Sequence, residues 1–110
     1  MKLLLLAIAA TLATTPARSA ENVYVYGTGT FSCGKFVEAR RVVGGDRAYR
    51  QWFVAFASGH NWFSNDGQLR SASHELDDDA AMVWIENYCR RQPTVGFVFA
   101  AAKFIEANRQ

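Results

Sequence analysis

Two cysteines, Cys33 and Cys89, stand behind an N-terminal segment with the layout of a secretory signal peptide. Met1 and Lys2 give that segment a positive start, residues 3–13 an apolar run, and residues 14–20 a small-residue end. The apolar run is too short to span a membrane, which takes about 20 apolar residues. Cleavage is expected between Ala17 and Ala20, after Ser19 or Ala20, so residues 1–20 read as signal peptide and 21–110 as a single domain with no membrane span after signal removal. An uncleaved anchor is the alternative reading. In an oxidising compartment the economical assignment for two cysteines is one disulfide, Cys33 to Cys89. Closing a loop of that length stabilises a fold by about 4 kcal/mol in the chain-entropy model. A staple matters here, because about 90 mature residues lie near the size at which one hydrophobic core is only marginally sufficient. A zinc site would need further soft or imidazole ligands, and the only histidines are His60 and His74. A reactive thiol is the remaining alternative.

Loss of the leader changes the charge balance. The full chain has 12 Lys and Arg against 10 Asp and Glu, and Lys2 and Arg18 depart with the signal, which leaves 10 of each. The apparent basicity therefore belongs to targeting. Arg40 and Arg41, Arg47 and Arg50, and Arg90 and Arg91 are scattered and matched by acids, so they read as a solvated face and no nucleic-acid partner is expected.

The hydrophobic pattern predicts an all-α domain, a small bundle of about four helices. Residues 21–30 read as an extended lead-in, broken by Gly27 and Gly29. Thr30 or Ser32 is expected to cap a first helix through Cys33, Phe36, Val37 and Arg40 that ends before Gly44 and Gly45. Asp46 is the expected N-cap of the strongest helix, in which Tyr49, Trp52, Phe53, Phe56, Ala57 and His60 recur at three- and four-residue steps as far as about Phe63. Ser64, Asn65, Asp66 and Gly67 supply turn chemistry after it. Residues 67–76 are polar and serine-rich and read as an exposed loop between antiparallel helices. Asp77, Asp78 and Asp79 open a third helix, where acids complement the helix dipole. Met82, Ile85 and Cys89 continue it, and Arg90 and Arg91 stand at its end. Pro93 is expected in the first turn of a fourth helix over residues 94–107, with Gly96 allowing a neighbour to approach.

Candidate chemistry is sparse, and neither enzyme, metal nor cofactor is expected. His74 and Glu75 begin a zinc-protease motif whose second histidine would fall at position 78, where this chain has Asp78. Glu75 with Asp77, Asp78 and Asp79 lacks the alternation and central glycine of a calcium loop. No nucleophile elbow, phosphate loop or dinucleotide fingerprint occurs. The most distinctive stretch is WFVAFASGHNWF, residues 52–63. Ala55, Ser58 and Gly59 fall at helical steps and are expected to let another backbone approach. His60, Asn61 and Trp62 lie at the helix end, where polar groups satisfy terminal backbone atoms or, with His74 of the following loop, face a partner.

SCGKFVEAR, WFVAFASGHN and WIENYCRRQP, followed by an alanine-rich helix, resemble a group of small, largely uncharacterised bacterial secreted proteins. The resemblance rests on Ser32-Cys33-Gly34, Trp52, Ser58-Gly59, Asn61, Trp84, Tyr88-Cys89, Pro93 and Ala100-Ala101, with Ala55 standing where the pattern has glycine. In size, secretion and helical architecture this group is in turn similar, more distantly, to the HdeA-type acid-stress chaperones and the Rap1a/Tai immunity proteins. The resemblance implies a periplasmic or secreted helical protein and carries no functional residue over. Two functions are expected from it: a module that binds one protein partner, or an acid-responsive chaperone that holds acid-unfolded clients. In acid the 10 carboxylates would neutralise, leaving 10 Lys and Arg and 2 His, a formal +12.

Overall fold

The computed structural model describes residues 23–64 and 76–109. Among them are four helices and no strand: α1 (Cys33–Ala39), α2 (Arg47–Phe63), α3 (Asp78–Arg91) and α4 (Phe97–Asn108), preceded by one 3-10 turn, Gly27–Thr30. The fold is therefore all-α, with Cys33 and Cys89 joined in a disulfide. That bond ties the first residue of α1 to the last turn of α3, with the two Cα atoms 4.7 Å apart across 56 residues of sequence.

The apolar steps of the sequence become the core. Phe36, Phe53, Met82, Ile85 and Phe97 are fully buried with both cysteines. Phe36, Tyr49 and Phe97 form a ring cluster with centroids 4.8 to 5.1 Å apart. Phe104 meets Phe53 edge-on at 5.3 Å and Trp84 at 5.5 Å, which ties α4 to α2 and to α3.

Four local expectations need correction. The lead-in is not extended throughout, because residues 27–30 wind into a 3-10 turn beneath Trp52, whose Nε1–H donates to the Tyr26 carbonyl at 2.8 Å. Gly29 sits under the indole, where an added Cβ would overlap the ring, whereas one at Gly96 would make only ordinary contacts. The close approach thus belongs to Gly29. Helix α4 begins at Phe97 rather than around Pro93, because residues 93–96 form a turn whose carbonyls serve α1: Cys33 N–H donates to Val95 O at 2.8 Å and Gly34 N–H to Pro93 O at 2.9 Å. These are N–H groups that a helix start cannot pair internally. Of the two expected caps Ser32 is the one used, its Oγ accepting from the Lys35 N–H at 3.2 Å. Ala55 and Ser58 are exposed, and no described atom comes within 4 Å of a Cβ built at Gly59, so among the described residues this small-residue stripe receives no neighbouring helix.

Candidate functional site

Three features of the surface carry chemistry: the end of α2, two grooves along α4, and an ionic network where α1, α2 and α3 meet. At the end of α2, Trp62 and Phe63 are each 83% exposed, while His60 and Asn61 are half-buried. His60 also lines a groove between α2 and α4 of about 260 Å³, with Phe56, Ala102, Ile105, Glu106 and Arg109. Of His60, Asn61 and Trp62, His60 lines this groove, while Trp62 stands exposed at the helix end. His74 lies outside the described residues.

A second groove, about 390 Å³, runs between α3 and α4 and is lined by Trp84, Tyr88, Arg91, Lys103, Glu106 and Ala107. Alanines of α4 line both grooves, Ala102 the first and Ala107 the second, while Phe104 of the same helix is buried against Phe53 and Trp84. Glu106 lines both and forms the ridge between them. The sequence reading passed over this second surface. A signal was present, since Trp84, Tyr88 and Arg91 share one helical face by their spacing; the opposing Lys103 and Glu106 are brought there only by the packing of α4.

The ionic network replaces a cap with a junction. Asp46 occupies the N-cap position of α2, but its carboxylate makes no capping bond. It accepts instead from Arg40 at 2.8 Å and pairs with Arg50 at 3.4 Å. Arg50 reaches on to Asp78 at 3.2 Å and to Asp79, and Glu86 lies 3.5 Å from Arg40 Nε and 3.0 Å from Arg90. The side chains of Arg40 and Arg50 are only 20% and 26% exposed, which corrects their reading as a solvated face. Arg40 Nε is itself buried without a hydrogen bond, so Glu86 serves it through charge alone. Burial disfavours ionisation of Asp46, but the Arg40 hydrogen bond and the charges of Arg50 and Arg40 outweigh it and hold the carboxyl below its ordinary value. Asp77 caps α3 by accepting from Ala80 N–H at 3.0 Å, so the acidic run is used in a cap and in ion pairs. Among the described residues no cluster of His, Cys, Asp or Glu is arranged to hold a metal ion, and no helix is long and apolar enough to cross a membrane.

These surfaces offer aromatic area, cations and carboxylates at helix ends and in shallow grooves, the materials of recognition by contact. Compared with models of protein families, with curated proteins and with solved structures, the chain matches none.

Proposed function

We propose that the mature chain is a small secreted or periplasmic, non-enzymatic protein-binding module that acts on one partner, as an immunity protein does. The observation that carries this reading is the exposure of Trp62 and Phe63 side by side, each at 83%, next to the half-buried His60 and its groove. Two adjacent large aromatics in water are costly unless something covers them, and tryptophan is among the residues that dominate the energy of protein interfaces. The disulfide suits an oxidising compartment, and the leader and the resemblance to small secreted helical proteins support the same location. Affinity capture from periplasmic extract on the mature, oxidised chain, run at about pH 7 and about pH 3, tests the reading. One stoichiometric partner at neutral pH, lost with Trp62→Ala, is the expected result. Selective capture of nothing, or of the same partner undiminished by Trp62→Ala, would overturn it.

A second reading, an acid-responsive chaperone of the HdeA kind, is favoured by the network around Asp46. It joins three helices through carboxylates that acid would protonate, while the disulfide would limit the expansion that follows. Many unrelated proteins retained only in the acid arm of the same experiment would support it, and a chain that keeps native near-ultraviolet circular dichroism at about pH 3 would sink it.

A further inference from the structure

The groove between α3 and α4 has a composition that selects its occupant. Trp84 and Tyr88, one helical turn apart, stack in parallel with centroids 6.0 Å apart and planes within 5°. Trp84 also meets the ring of Phe104, from the facing helix, at 5.5 Å in a T-shaped contact, so the pair forms a half-buried aromatic wall anchored in the core. On the facing helix the Lys103 ammonium lies 3.3 Å from the Glu106 carboxylate, so each answers the other. Arg91, a further turn along α3, lines the same groove, is exposed, and forms no ion pair with any described residue. The charged lining is therefore two cations against one carboxylate, with the surplus at Arg91.

We infer that this groove docks a segment of the partner protein that carries a carboxylate beside an apolar side chain. The inference rests on the protein-binding reading and gives it a partner chemistry. The apolar side chain lies against Trp84 and Tyr88, and the carboxylate accepts the paired N–H donors of the Arg91 guanidinium, whose planar fork fits a carboxylate in two parallel hydrogen bonds. Charge complementarity selects against the other occupants: a basic segment meets Arg91 in repulsion, and a neutral one leaves its donors to water. Trp, Tyr and Arg, here on successive turns of one face, are also the residue types most enriched where binding energy concentrates.

The test uses the mature, oxidised chain, isotopically labelled, with the indole N–H resonances of Trp52, Trp62 and Trp84 as reporters. Two short blocked peptides serve as probes, one alternating leucine with glutamate and the other leucine with lysine. The acidic peptide is expected to shift Trp84 and to bind at least about tenfold more tightly than the basic one, with the difference shrinking as salt is raised. Arg91→Glu, at an exposed position where an unchanged far-ultraviolet spectrum verifies folding, is expected to reverse that order. Equal binding of the two peptides, an order that survives Arg91→Glu, or no movement of Trp84 would overturn the inference. A response confined to Trp62 would also overturn it while leaving the protein-binding reading to the end of α2; failure to capture any partner from extract would remove that underlying reading instead.

Discussion

Asp46 shows how one side chain can be visible in a sequence while its task is not. An acidic residue directly before an apolar-periodic helix reads as a cap, and Asp46 does stand at that position. Arg40 and Arg50 are near it in sequence, but Asp78 and Glu86, which complete the network, arrive from a helix some distance along the chain. No local rule could connect them. The consequence is a pH dependence of definite sign. The folded-state pKa of Asp46 lies below its ordinary 3.8, so its stabilising contribution is fully present above that value and is lost as pH falls through the folded pKa. Asp46→Asn is expected to cost about 2 kcal/mol at neutral pH, short of the loss at a fully buried pair because Arg40 and Arg50 retain some contact with water. It should also flatten the fall of stability in acid. Urea unfolding of both chains from neutrality to about pH 3 measures this; parallel pH profiles would show that Asp46 does not bear the acid sensitivity.

At the scale of elements, periodicity located the helices and tertiary partners set their ends. The apolar steps from Tyr49 to His60 run through α2, and those from Met82 to Cys89 through α3, much as the sequence indicated. The start of α4 could not be found that way, since Pro93 is locally suited to a first helical turn and is drawn off by α1, which uses the Pro93 and Val95 carbonyls. The same limit applies to the candidate site. His60 to Trp62 are legible as a helix end, but a groove between α3 and α4 depends on which residues of two helices face each other. A seven-residue helix such as α1 cannot sustain itself in water and relies on such tertiary partners. Ser32 is its own contribution to the cap, and Ser32→Ala is expected to lower stability by about 1 kcal/mol and to speed amide exchange at Lys35, whose N–H the serine oxygen holds. Exchange at Lys35 unchanged from wild type would mean that the neighbouring carbonyls suffice.

The whole molecule depends on a bond that crosses it. Cys33 and Cys89 are both fully buried, and their link brings the short α1 onto α3 beside Phe36, Met82 and Ile85. The pairing was legible from two cysteines behind a segment that reads as a secretory leader, whereas its place in the core was not, because burial is a property of the assembled helices. Domains are typically stable by about 5–15 kcal/mol, so removing a link that closes 56 residues, worth about 4 kcal/mol in the chain-entropy model, takes a large share. Cys33→Ala with Cys89→Ala is therefore expected to lower the urea midpoint strongly at neutral pH. In acid, where residues 21–110 carry a formal side-chain charge of about +12, it should expand further than the oxidised protein does. Urea titration and the hydrodynamic radius at neutral and acid pH separate the two effects. If the variant matched the wild type in midpoint, the helices would be held by the aromatic core alone. A radius in acid no larger than that of the oxidised chain would show that the disulfide does not restrain the acid form, and the chaperone reading would lose the feature that distinguishes it from simple acid unfolding.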